Sequence, residues 1–198
     1  MPDGMYLYEF VLLIAGSLLF VVLLIAFLRQ IFTKQPYKSL LMFFLLPILM
    51  IGFPAISEIK IDQGVIEIQK QTDALRDDPN SSQKRASLQN QVENLGQRRF
   101  KNPNTLATIA SAQFALGHDA GAETNLHQAL AANPSLPQAK DLQKRIEVTN
   151  RLKELSKAAE KQPNDPQVKQ QLQNTAVLAK QLRVVNPEAL KAIANAQH

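Results

Sequence analysis

The chain has 198 residues, a formal net charge of +5, a sequence pI near 9.5 and a mean hydropathy of −0.14, and it contains no cysteine. The missing cysteines exclude disulfides, thiolate metal ligands and cysteine nucleophiles. Bulky apolar residues concentrate before Ser57, and the remainder is rich in Gln, Asn, Ala, Lys and Glu, a division that predicts a membrane anchor followed by one modest soluble domain.

Residues 1–57 carry the predicted anchor. The chain is uncharged from Phe10 to Leu28, with apolar character beginning at Tyr6, and uncharged again from Ser39 to Ser57. Each run is about 19 residues, enough at about 1.5 Å per residue to cross a hydrocarbon core of roughly 30 Å as a helix. Helix is the conformation that satisfies the backbone in lipid. A cleavable signal fits the first run poorly, because no Lys or Arg precedes it and it is long for such a segment. Tyr6 and Tyr8 read as interfacial aromatics. Pro47 predicts a kink in the second run, and Gly52 and Pro54 a loosened exit. Gly16 and Ser17 allow close helix–helix approach. No ionisable residue lies deep in either run, which argues against an ion pathway. Arg29, Lys34 and Lys38 occupy the connection, and the positive-inside rule then places the 29–38 loop in the cytoplasm. In a bacterial inner membrane that leaves the N-terminus and the soluble domain periplasmic.

Residues 58–102 read as an amphipathic helix pair. Ile61, Val65, Ile68, Thr72 and Leu75 recur at alternating four- and three-residue steps, the spacing of one helical face. A rival reading folds Ile59–Ile68 into a hairpin at Gln63-Gly64. Asp78-Pro79-Asn80-Ser81 supplies a turn, Ser81 or Ser82 a cap, and Leu88, Val92 and Leu95 the apolar side of the next helix.

Residues 103–136 hold the most informative stretch. Leu106, the Ile109-Ala110 pair, Gly117, Ala122, Leu126 and Ala129 follow one another in an order of large, small and turn residues that Asn133-Pro134 closes. The small residues allow two helices to approach, Leu106, Ile109, Leu126 and Leu130 fill the space between them, and Gly117 can end a helix in the left-handed conformation. This stretch resembles the tetratricopeptide repeat, a helix-turn-helix unit of about 34 residues. Gln113 departs from it, standing where a tyrosine is usual, with Phe114 beside it. Residues 137–198 read as one long helix from Pro137 to Lys161, a break at Gln162–Pro166, an amphipathic helix through Leu182 and a short helix opened by Asn186-Pro187. These act as a degenerate repeat or cap, as the helix pair at 58–102 also can, because a single repeat cannot bury its faces alone. The expected fold is therefore all-α: two transmembrane helices and a helical-hairpin solenoid.

No phosphate loop, nucleophile elbow or zinc motif is present. His118, His127 and His198 have no partner at metal-ligand spacing. An enzyme is not expected, nor is a metal or cofactor. Charges alternate along the helices, as in Lys140-Asp141 and Lys153-Glu154, the pattern of solvated faces. Against that background the doublets Arg98-Arg99 and Lys144-Arg145 are weak signals for an anionic lipid or nucleic acid, and no nucleic-acid partner is expected. The resemblance implies a partner-binding face on the first helix of the repeat, carrying Asn104, Ala107, Ser111 and Phe114. Phe114 would anchor a partner if exposed; the alternative is that it packs against a neighbouring helix in place of the missing tyrosine. The implied function is a membrane-anchored scaffold or assembly factor that holds a protein partner at the bilayer. In layout the chain is similar to the apocytochrome-binding subunits of bacterial cytochrome c maturation, and envelope secretion machineries use related arrangements. The alternative function is a structural accessory subunit of a larger membrane complex.

Overall fold

The computed structural model describes residues 6–32, 38–96 and 98–196. Asp3, Lys34 and His198 lie outside them. Every regular element among the described residues is an α-helix: α1 (Leu7–Phe32), α2 (Lys38–Phe43), α3 (Leu45–Asp77), α4 (Ser82–Gly96), α5 (Pro103–Leu116), α6 (Asp119–Ala132), α7 (Pro137–Lys161), α8 (Pro166–Gln181) and α9 (Pro187–Asn195). The chain divides into two compact units, Met1–Gln63 and Gly64–His198.

Two helical stretches, Leu7–Phe32 and Leu41–Asp77, are long and apolar enough to cross a membrane; the first, and the second as far as Gln63, belong to the first unit. Val11, Leu18, Val22 and Ile25 are exposed along α1, as suits a surface that meets lipid rather than water. Gly16 is where α1 and α3 meet: a Cβ built on it would stand 2.9 Å from Met50 Cβ and 3.1 Å from Ile51 Cγ1. Only a residue without a side chain fits. Ser17 does not reach across; its hydroxyl donates to the Leu13 carbonyl of its own helix at 2.8 Å. At the start of α1 the buried Glu9 carboxylate accepts the Tyr6 N–H at 2.9 Å, and the rings of Tyr6 and Tyr8 stack at 5.6 Å.

The kink expected at Pro47 is realised as an interruption at Phe44. Proline cannot donate to the carbonyl four residues back and crowds it, so the helix stops at Phe43 and restarts at Leu45. Phe44 N–H bonds the Leu41 carbonyl at 3.2 Å, a tighter i−3 turn. Pro47 then sits in the first turn of α3, where its missing N–H goes unneeded. The freed Phe44 ring meets Phe20 and Phe27 of α1 edge-on at 5.6 and 6.0 Å. The loosened exit at Gly52 and Pro54 does not occur. Helix α3 runs through both to Asp77, since the loss of a single donor is tolerated where the other amides remain paired. The rival hairpin at Gln63-Gly64 is likewise replaced by this helix.

In the second unit the predicted periodicities become buried faces. Ile68, Thr72 and Leu75 of α3 and Leu88, Val92 and Leu95 of α4 are buried. Ser81 Oγ accepts the Lys84 N–H at 3.3 Å to cap α4. Helix α5 is the centre of the unit, with 9 of its 14 residues buried and with α4, α6 and α7 all packed on it. Helices α5 and α6 form an antiparallel hairpin that turns at Gly117, whose φ of 88° is the left-handed cap expected there. Gln113 Oε1 accepts from Asn125 Nδ2 of α6 at 2.8 Å, so an amide pair joins the two helices of the hairpin. Helix α7 packs on α8 and α9, and Pro-initiated first turns open α5, α7, α8 and α9, as proline's fixed φ favours.

A polar clasp ties the C-terminal helices to this hairpin. Asn186, fully buried, caps α9 through Oδ1. Its Nδ2 donates to the Phe114 carbonyl at 3.0 Å and to Asp119 Oδ1 at 2.8 Å. Lys153 of α7 reaches Asp119 and Glu188, each at 2.5 Å. The neighbouring carbonyl at the end of α5, that of Ala115, accepts from Arg85 Nη1 of α4 at 2.7 Å. Burial pulls the Lys153 ammonium down, but its hydrogen bonds to Asp119 and Glu188 outweigh this and leave it above its ordinary value. The hydrogen bond from Lys153 holds the Glu188 carboxyl below its ordinary value. A depressed carboxyl contributes stability that is present above its unfolded pKa and is lost as pH falls through the folded one. Stability should therefore decline below about pH 4.3, and Glu188→Gln should remove that part of the decline. Because Glu188 is exposed, the difference between the two proteins in thermal unfolding at neutral pH is expected to be about 1–2 °C, vanishing in acid.

Candidate functional site

Helices α3, α5 and α7 each contribute one polar stripe to a shared cleft of about 310 Å³. From α3 come Gln69, Thr72, Asp73 and Arg76; from α5, Thr108 and Ser111; from α7, Gln138 and Asp141. Residues three and four apart share a face of a helix, which is how each element supplies neighbouring side chains to one wall.

The cleft is preorganised by hydrogen bonds between the helices. Arg76 Nη1 pairs with Asp73 Oδ1 at 2.6 Å, and its Nη2 donates to Ser111 Oγ at 2.7 Å. Gln138 Nε2 donates to Thr108 Oγ1 at 3.2 Å. Asp141 is paired with Arg145 Nε at 2.7 Å. Beyond this end, Arg145 Nη1 donates to the Arg183 carbonyl at 3.3 Å, and Arg183 forms an ion pair with Asp77 at the end of α3. Burial, with help from nearby Arg145, lowers the Arg76 guanidinium below its ordinary value, and Asp73 and Asp141 act against this. The group remains a cation at neutral pH, as a guanidinium does.

The Ser111 hydroxyl accepts from a guanidinium, which cannot take its proton. What the walls offer is a row of amide, hydroxyl and paired charged groups. Such groups satisfy the N–H and C=O of a polypeptide laid along them. No group of three or more His, Asp or Glu side chains placed to hold a metal occurs among the described residues. His118 lies at the start of α6 and His127 on its exposed side.

The four residues expected to form the partner-binding face part company. Ser111 lines the cleft. Asn104 is exposed near the start of α5, its backbone N–H donating to Asn102 Oδ1 at 2.9 Å. Ala107 is fully buried and Phe114 is only 4% exposed. Phe114 as a surface anchor is thus corrected: its ring is packed inside, and the hydrogen bond of Asn186 to its carbonyl holds that turn of α5 against the C-terminal helices. Sequence reasoning missed Arg76, Asp73, Gln138 and Asp141. The charged ones lie among alternating charges that read as solvated faces, and the partners of Arg76 and Gln138 on α5 are 35 and 30 residues away.

No protein-family model, curated protein or solved structure matches the chain.

Proposed function

We propose that the protein is a membrane-anchored scaffold or assembly factor of tetratricopeptide-repeat type, which holds a segment of a protein partner in the α3–α5–α7 cleft. The observation that carries this reading is the convergence of polar stripes from three successive helices on one preorganised cleft. In the repeat reading, α3–α4, α5–α6 and α7–α8 are three hairpins, and the first helix of each lines the cleft. The basic 29–38 connection supports a cytoplasmic loop, with the cleft on the opposite side of a bacterial inner membrane. Anchoring would raise the effective concentration of a partner in the same membrane without any new contact.

The test is to crosslink the tagged chain in its native membrane and compare it with a Gln69→Trp variant. Gln69 is exposed, so the substitution fills the cleft and leaves the core alone. A partner lost on Gln69→Trp, with helicity unchanged, is the expected result. A partner retained by that variant, but lost when both apolar helices are exchanged for an unrelated anchor, would instead favour an accessory subunit that docks through its membrane helices.

A further inference from the structure

The α3–α5–α7 cleft holds hydrogen-bonding capacity that its own groups leave unused. On the α3 side Asp73 gives Oδ1 to Arg76, and on the α7 side Asp141 gives Oδ2 to Arg145. Among the described residues no hydrogen bond reaches the second oxygen of either carboxylate. The formal charges of these two pairs cancel, but their exposures differ. The aspartate side chains are 56% and 50% exposed, whereas the arginine side chains are 20% and 13% exposed. An incoming group therefore meets negative charge first, with the arginines largely covered. Thr108 and Ser111 of α5 are buried and line the same cleft. Each hydroxyl accepts a hydrogen bond, from Gln138 and Arg76 respectively, and neither donates one among the described residues. Each thus keeps an O–H for a carbonyl.

We infer that the cleft takes a lysine side chain of the partner segment, its ammonium held by Asp73 Oδ2 and Asp141 Oδ1 and a backbone carbonyl of the segment set on the Thr108 and Ser111 hydroxyls. The inference rests on the reading of this cleft as a polypeptide-binding site. Lysine fits better than arginine for a geometric reason. A guanidinium binds most strongly as a fork on both oxygens of one carboxylate, and here each carboxylate has already committed one oxygen. An ammonium carries three donors on a flexible stem. It can take single oxygens from two walls, and the side-chain carbonyl of Gln138, in the same lining, is there for the third donor. An acidic segment would meet the exposed carboxylates as like charge. An apolar one would cover them without supplying a donor, at the cost of their desolvation.

The test uses the full chain in non-ionic detergent and fluorescent, acetylated Gly-Ser peptides that differ in one central residue, with binding read by anisotropy. The lysine peptide should bind roughly tenfold more tightly than its norleucine counterpart, which keeps the stem and lacks the charge, and the arginine peptide should fall between them. The chain's net charge of +5 works against a cationic peptide at long range, so the preference reports the cleft. Asp141→Asn and, separately, Asp73→Asn should abolish the preference with circular dichroism unchanged. Glu123→Gln, an exposed site on α6 outside the cleft lining, should keep it. Because each aspartate also holds an arginine, the parent chain supplies a second readout: a carbodiimide should join the peptide's lysine amine to Asp73 or Asp141, as mapped by mass spectrometry. Equal binding of the lysine and norleucine peptides overturns the proposal. So does tightest binding by the arginine or a glutamate peptide, a preference that survives both asparagine variants, or crosslinks that map elsewhere. Gln69→Trp separates the two readings. If the peptides bind alike and this variant blocks them all, the cleft takes polypeptide without selecting lysine; if they bind alike and it blocks none, the cleft itself is lost as the polypeptide site. No binding of any peptide at millimolar concentration overturns the lysine proposal, and crosslinking in the native membrane then decides the wider reading.

Discussion

Asn186→Ala is expected to lower the thermal unfolding midpoint of the full chain by roughly 10 °C. The side chain performs three tasks at once from a fully buried position. It caps α9 by accepting from the Glu188 and Ala189 N–H groups at 3.0 and 3.3 Å, a contact typically worth about 1 kcal/mol. It donates to the Phe114 carbonyl, worth about another 1 kcal/mol, and to the Asp119 carboxylate, where a charged acceptor raises the contribution to about 1.5–3 kcal/mol. Alanine removes all three and leaves a buried carbonyl without this donor. A total of about 3.5–5 kcal/mol, at a few degrees per kcal/mol for a unit of this size, gives the expected shift. Asn186→Asp separates the contributions: it keeps the cap but loses the donors and sets a second carboxylate against Asp119, so it should fall at least as far. Circular dichroism melts in detergent measure both. A shift below about 2 °C for alanine would mean that the clasp contributes little.

Replacing Gly16 and Met50 with cysteine is expected to give an intramolecular disulfide on mild oxidation. The ideal Cβ at Gly16 lies 2.9 Å from Met50 Cβ, so the pair must separate by only about 1 Å to reach the usual disulfide spacing of roughly 3.8 Å. Without native cysteines the background is zero, and a gel-mobility shift reads the result. Gly16→Cys with Gly52→Cys is the control, because a Cβ at Gly52 meets nothing within 4 Å. Crosslinking of the control as readily as of the test pair would contradict the α1–α3 register. The same contact predicts that Gly16→Leu drives the helices apart. Overpacking of a tight site costs about 1–3 kcal/mol or more, and small residues are what let helices approach in lipid. The variant should aggregate in detergent well below the temperature of the parent, and Gly16→Ala should fall between.

Much of the helical plan was legible because its signals are local. Pro-initiated first turns, Gly117, Ser81 and the Asn- and Pro-rich breaks at 78–81, 133–137, 162–166 and 186–187 act within a few residues of themselves, and α4 to α9 begin and end close to them. Helix α3 was misjudged for the opposite reason. Pro47, Gly52 and Pro54 are local breakers, and the expected loosening at Gly52 and Pro54 trusted them, but a helix whose other amides are paired continued through to Asp77. The cleft was less legible than the helices. Ser111 could be placed on a face by spacing alone, but the arginine that bonds it lies on another helix and looks like any other charge in a solvated pattern. Lys153 is a second example: its neighbour Glu154 suggested an ordinary surface pair, while its actual partners are Asp119 and Glu188. The packing of Phe114 followed from the same long-range closure.

The two carbonyls at the end of α5 are satisfied from opposite directions along the chain, and this sets an order on biosynthesis. Arg85 precedes Ala115 by 30 residues, whereas Asn186 follows Phe114 by 72. On the ribosome, the α5–α6 hairpin can form with Arg85 already waiting, since nearby contacts need little loop closure. The Phe114 carbonyl, already bonded by the Gly117 N–H at 3.1 Å, gains its second donor only when Asn186 docks. Docking of Asn186 is therefore the event that closes this end of the hairpin to water.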